Sequence, residues 1–405
     1  MGSKAEGEPL PRPLIDPPRV GQRDPRPGAS GLPLAEVRSW LDERGQPDYR
    51  ARQLADHVWS GSGATGSDLR TLPVALREEI ETAFRLDTLV STDVSQADAG
   101  LTDKALHQLD DGRVIESVLM RYPARGPRRP RATVCISSQA GCAVGCPFCA
   151  TGELGFWRDL ETAEIVDQVR FWRRRLALEG RRLTNVVFMG MGEPLLNTRR
   201  VLEAAAALSD PERFALGARR ITISTSGVLP GIEQMIELRP QYTLAVSLHA
   251  ARPELRDVLV PLNRRYPVTT IVEAAARYAT ATGRRPTYEY VMIDAINDTR
   301  QDAVELSRLL RGQLAHVNLI PMNPVAHTPW RASSMERIEA FAATLRRAGL
   351  RTTVRRNRGL EIGAACGQLA AERAGAPPPA AVARRRELLV TQSATALAGR
   401  LPAGG

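Results

Sequence analysis

The stretch GCAVGCPFCATG, residues 141–152, sets Cys142, Cys146 and Cys149 in a C-x3-C-x2-C spacing, in a chain of 405 residues that has only five cysteines. Thiolates so close in sequence can converge on one soft metal centre. A structural zinc ion would ask for a fourth protein ligand, which Cys135, a histidine or Cys366 could supply. The spacing after a first strand points instead to a [4Fe–4S] cluster with three protein ligands and one iron left open for a small molecule. Taken alone, Cys135 in TVCIS and Cys366 after EIGAA each read as a small buried hydrophobe, although the Gly/Ala-rich run before Cys366 allows backbone to approach a ligand. An odd, clustered cysteine set argues against the disulfide framework of a secreted protein.

Other polar groups recur at the ends of apolar runs. In GMGEP, residues 190–194, Gly190 and Gly192 allow close backbone approach, and Glu193 is an acceptor for an ammonium or a ribose hydroxyl. Ser224 in ISTSG, Ser247, Leu248 and His249 in SLH, and Asn323 in PMNP follow the same pattern. By themselves these are satisfied polar groups at strand ends, and Glu116 in VIESVLM is a solvent-facing strand residue.

The elements that must hold these residues alternate. RATVCISS, LTNVVFMG, RRITIST, QYTLAVSLH, TYEYVMI and HVNLIPM read as strands, with amphipathic helices between them and a last strand at LRTTVRR. Strands and helices in alternation predict an α/β fold with parallel βα units, a sheet or barrel whose functional loops follow the strand C-termini. Residues 32–104 predict a small helical N-terminal domain, accessory to a catalytic domain at 105–369. Residues 1–31, rich in Pro, Gly and Arg, predict a disordered tail, and 370–405 a flexible basic one. No run of about 18 apolar residues and no apolar leader is evident, so a cytoplasmic protein without a membrane span is expected. The net charge of +10 favours a polyanionic partner, but only Lys4 and Lys104 among the 55 cationic residues are lysines. That skew also fits GC-rich coding, so charge alone does not decide.

The cysteine motif, with Phe148 before its last cysteine, resembles that of the radical S-adenosylmethionine (SAM) superfamily. With FMGMGEPLLN, ITISTSGVLPGI, LAVSLHA, NLIPMNP and GLEIGAACGQL in order, the chain from Leu34 to Leu369 resembles the RlmN/Cfr group of RNA adenine methyltransferases. The resemblance implies that Cys142, Cys146 and Cys149 hold the cluster, and that Gly192, Glu193, Ser224, Ser247, Leu248, His249 and Asn323 contact SAM. It implies that Cys366 carries the methyl group, Cys135 resolves the intermediate through a disulfide, and Glu116 accepts the ring proton. An adenine C2 carbon is too electron-poor to attack a methyl sulfonium directly, hence two SAM molecules per methylation. The resemblance also implies an open six-stranded (βα) partial barrel, a helical N-terminal domain that binds RNA, and as partners 23S rRNA, tRNA and an electron donor such as flavodoxin or ferredoxin. A monomer is expected. The alternatives are a Cfr-type enzyme acting at C8 and a non-catalytic iron–sulfur or zinc RNA-binding protein.

Overall fold

Three helices open the chain in the computed structural model, which describes residues 23–60, 65–124, 126–127, 129–326, 328–355 and 357–369. They span Leu34–Asp42, Tyr49–Ser60 and Val74–Ala83. Each buries an apolar pair one turn apart: Val37 with Leu41, Leu54 with Val58, Leu76 with Ile80, as an amphipathic helix requires.

The helical unit ends at Ala83, short of residue 104. Strands Leu89–Ala97 (β1), Thr102–Leu109 (β2) and Val114–Tyr122 (β3) follow as an antiparallel ribbon. Their sequence hides them, because β1 is largely exposed and β2 buries Thr102, Asp103 and His107. Neither strand shows an apolar alternation. Residues 23–31 also depart from the expected disordered tail. The Arg85 side chain donates to the Arg26 carbonyl at 2.7 Å and pairs with Asp110 at 2.7 Å and Glu161 at 2.6 Å. Trp59 Nε1 donates to the Ser30 carbonyl at 2.9 Å, and a Cβ at Gly31 would lie 2.6 Å from the Ala163 nitrogen. The small residues that read as disorder permit this close packing. The remaining tail positions, 1–22 and 370–405, lie outside the described residues.

The parallel part of the sheet begins at Arg131–Cys135 (β4). A short hairpin, Gln139–Gly141 (β5) with Phe156–Asp159 (β6), stands apart, and the sheet continues through Asn185–Phe188 (β7), Ile221–Thr225 (β8), Thr243–Ser247 (β9), Thr287–Met292 (β10), His316–Pro321 (β11) and Arg351–Val354 (β12). The order β1-β2-β3-β4-β7-β8-β9-β10-β11-β12 leaves β1 and β12 at the two edges, so the barrel is open. Every expected parallel strand is present, and the antiparallel ribbon extends the sheet beyond β4. A helix crosses between each successive parallel pair, as parallel pairing demands. The first, Thr162–Leu178, buries Ile165, Val169, Trp172 and Leu176, each worth about 1.5–3 kcal/mol on burial. Trp172 Nε1 donates to Ser117 Oγ at 2.7 Å; Ser117 bonds His107 Nε2 at 2.7 Å, and His107 Nδ1 bonds Thr92 Oγ1 at 2.8 Å. This buried polar chain locks the ribbon to the barrel.

Candidate active site

The β5–β6 hairpin closes the base of the loop that carries Cys142, Cys146 and Cys149. Gly141 has φ +77°, and a Cβ there would sit 2.0 Å from the Gly155 carbonyl oxygen. Only glycine fits such a turn. The Cys142 N–H donates to the Gly155 carbonyl at 2.8 Å and the Cys149 N–H to the Cys146 carbonyl at 3.1 Å. Burial, with repulsion from Cys149 and Glu193 added, pushes the Cys142 thiol up to about 12; burial and the other two thiols raise Cys146 well above the usual range. Among the described residues no three His, Cys, Asp or Glu side chains close on a single-ion position.

Cys366 is brought to this loop from the far end of the chain. The Ala150 N–H donates to the Gly367 carbonyl at 2.7 Å, and Thr151 Oγ1 to the Leu369 carbonyl at 2.6 Å. Asn323, just past β11, donates from Nδ2 to the Cys366 carbonyl at 2.8 Å. Gly367, at φ +84°, lets the turn lie against the Phe148 carbonyl. Cys366 lines a cavity of about 840 Å³ on the concave face of the sheet, with Met120, Thr133, Glu289, Asn323 and Arg355. Cys135 is opposite Val118 in the β3–β4 register; burial first, then the charge of Cys366, pushes its thiol up to about 12. Both cysteines are free.

The expected SAM contacts fall at or just past the C-terminal ends of β7, β8, β9 and β11, but several are already engaged with protein. A Cβ at Gly192 would meet Gln139 Cβ at 2.5 Å, so this glycine answers to its neighbour strand as well as to any ligand. Glu193 is buried. Its carboxylate accepts from the Leu195 N–H at 3.0 Å and from the Ser226 N–H and hydroxyl, both at 2.7 Å, so most of its acceptor capacity is taken by protein. Ser224 Oγ donates to the Phe188 carbonyl at 2.6 Å. Leu248 is buried, and the carbonyls of Leu248 and Ser247 accept from Arg256 at 3.0 and 3.2 Å. His249 stands at φ +60°, accepts at Nδ1 from the Val291 N–H at 3.1 Å and meets the Phe148 ring edge-on at 4.8 Å. Asn323 differs, because its buried Oδ1 has no hydrogen-bond partner among the described residues.

Glu116 is fully buried, not solvent-facing, and Lys104 Nζ lies 2.9 Å from its Oε1. Two residues from Val118 on β3, it shares the face of the sheet that carries Cys135. Three functional candidates escaped the sequence reading. Arg256 is fully buried and donates to the Ser226 carbonyl at 2.6 Å and to Asn263 Oδ1 at 2.9 Å, joining the ends of β8 and β9; burial lowers it to about 10. Arg355, whose charge Cys366 and Glu289 hold more firmly than water does, looks like any other arginine in an arginine-rich chain. Lys104 carried a legible signal, its rarity.

The family model of the radical SAM superfamily matches residues 136–309. The chain is 48% identical over 343 residues to the "Probable dual-specificity RNA methyltransferase RlmN" of Thermobifida fusca, covering 83% of this chain and 92% of that protein. It is 45% identical over 339 residues to the "Dual-specificity RNA methyltransferase RlmN" of Syntrophobacter fumaroxidans, covering 84% and 96%. The chain belongs to the RlmN family of radical SAM RNA methyltransferases. A solved radical SAM methyltransferase from Sphaerobacter thermophilus superposes on this RlmN-family fold with a TM-score of 0.82 at 46% identity, over 85% of this chain and all of that one.

The RlmN family implies a [4Fe–4S] cluster and SAM. The residues present fit both. A cuboidal cluster gives each thiolate its own iron, so it suits three cysteines spread along one loop rather than drawn to a point. The orphaned Asn323 Oδ1 leaves an acceptor free beside Cys366 for a ligand amine or hydroxyl. No helix among the described residues of this RlmN-family chain is long and apolar enough to cross a membrane.

Proposed function

We propose that the chain methylates C2 of an adenine in 23S rRNA, at the peptidyl transferase centre, and of the adenine beside the anticodon in certain tRNAs. The observation that carries this reading is Cys366: pinned against the cysteine loop, it faces a cavity large enough for a nucleobase. In this reading Cys142, Cys146 and Cys149 hold the cluster, and Gly192, Glu193, Ser224, Ser247 to His249 and Asn323 bind SAM. The Cys366 thiolate first displaces the methyl group from one SAM, forming a thioether and releasing S-adenosylhomocysteine. Cluster and a second SAM, when bound, supply the 5′-deoxyadenosyl radical that removes hydrogen from that S-methyl group. The carbon radical on the Cys366 sulfur then adds to the electron-poor ring; Glu116 takes the ring proton, and the adduct gives up one electron, which the cluster, when bound, would accept. Cys135 attacks the Cys366 sulfur, breaking its bond to the transferred carbon, which takes up a proton to become the methyl group and frees the RNA. The disulfide left behind is reset by a reductant. Electrons come from a flavodoxin or ferredoxin, and the chain works as a monomer.

The dual-specificity name of the relatives supports two RNA substrates for one site. Mass spectrometry of rRNA and tRNA fragments after reaction tests the reading. The expected product is 2-methyladenosine in both; 8-methyladenosine would assign the chain to the Cfr type, and unmodified RNA would reject the methyltransferase roles of these residues.

A further inference from the structure

The wall of the Cys366 cavity carries a stack of two cations on one ring. Tyr122, the last residue of β3, has the Arg131 guanidinium over its ring at 4.1 Å and the Arg358 guanidinium at 4.4 Å. Arg131 is directly opposite Tyr122 in the β3–β4 register. Arg358 comes from the segment after β12 and is fixed by a 2.9 Å bond from its Nη1 to the Arg121 carbonyl. All three line the cavity, as do Arg129 and Arg355, against one carboxylate, Glu289.

The cavity's arginines differ from those tied down by carboxylates elsewhere in the fold. Arg85, Arg121, Arg158 and Arg213 are each held by a carboxylate. Among the described residues, Arg129, Arg131, Arg355 and Arg358 take part in no ion pair within 4.0 Å. Two cations packed against one ring repel each other, so a purely structural stack gains little from both. An anion at their edges removes that conflict. A guanidinium stacked flat keeps its in-plane N–H donors free and oriented, the arrangement suited to phosphate oxygens.

We infer that Arg131, Tyr122 and Arg358 form a phosphate clamp that grips the RNA backbone beside the base drawn into the cavity. The inference rests on the reading of the chain as an RNA adenine methyltransferase. Phosphate contacts position a strand without reading its sequence, so such a clamp serves an rRNA loop and an anticodon loop alike. It also unites two arginine-rich segments far apart in sequence, RGPRRPR at 125–131, which ends in Arg131, and RTTVRRNRG at 351–359, which carries Arg358.

The test is fluorescence anisotropy of a labelled adenosine-containing hairpin RNA with the full reconstituted chain across a salt series. Arg131→Gln and Arg358→Gln are each expected to weaken binding and to reduce the slope of log Kd against log salt by about 0.7–0.9, the loss of one phosphate contact. Arg131→Lys keeps the charge and is expected to keep the slope, which a loss of fold would not. Tyr122→Leu, which unmoors both cations, is expected to weaken binding at least as much as either single change. Arg199→Gln, at an exposed arginine paired with Glu203, should leave the slope unchanged. Slopes equal to wild type in both glutamine variants overturn the clamp alone. A wild-type chain that does not bind the hairpin overturns both the clamp and the RNA reading beneath it.

Discussion

Lys104 and Glu116 form a buried pair in a chain that has otherwise replaced lysine almost completely by arginine. A compact ammonium reaches the carboxylate where a planar guanidinium would need more space. Glu116→Gln keeps the shape and removes the proposed base, so release of methylated RNA is expected to slow by roughly 10²–10⁴-fold. Methylation of Cys366 should continue, because it needs no ring proton transfer, and the covalent protein–RNA species should accumulate on a denaturing gel. Lys104→Met is expected to slow the same step and to lower stability by about 3–5 kcal/mol, the usual cost of breaking a buried pair. Lys104→Arg should recover part of the release rate; full release by Glu116→Gln removes that residue from the mechanism. The cysteines, the GMGEP loop and Asn323 were legible at this scale because their spacing or position at a strand end is unusual. Arg355 and Arg256 were not, since nothing in an arginine's neighbours along the chain says that it is buried beside a thiol.

At the scale of elements, the hairpin under the cysteine loop is the part whose geometry is hardest to change. A Cβ at Gly141 would collide with the Gly155 backbone and require a strained φ. Gly141→Ala is therefore expected to cost about 1–3 kcal/mol and to lower the iron bound per chain on anaerobic reconstitution, while far-UV circular dichroism stays near wild type. Normal iron content in a folded variant would detach the hairpin from cluster loading. The parallel strands were legible because their apolar runs are bounded by helices of clear period. β1 and β2 were not, since they bury Thr102, Asp103 and His107 where a sequence reading looks for apolar side chains. The strap at 26–31 was hidden by the same glycines that let it pack on Ala163.

Across the whole molecule, the polar chain through His107 couples the ribbon to the barrel and makes stability depend on pH. Burial lowers His107 to about 3, against the opposing charge of Asp167, whereas the unfolded residue titrates near 6.5. The neutral ring is therefore favoured by folding. Its contribution is fully present above pH 6.5 and is lost as pH falls from there towards 3, up to roughly 5 kcal/mol at about 1.4 kcal/mol per unit. Denaturant titrations at a series of pH values should show this decline, and His107→Gln should flatten it between pH 6.5 and 3; an unchanged slope would place the proton elsewhere. The open barrel then presents its concave cavity on one side, with the Cys366 turn held on the cysteine loop.

That placement of Cys366 is the central claim, and peptide mass analysis reaches it most directly. The reconstituted chain, given SAM but no RNA, should yield a Cys366 peptide heavier by one methyl group, and the mark should vanish after a single turnover with RNA. An unmodified Cys366 in protein that still methylates RNA at full speed would contradict it.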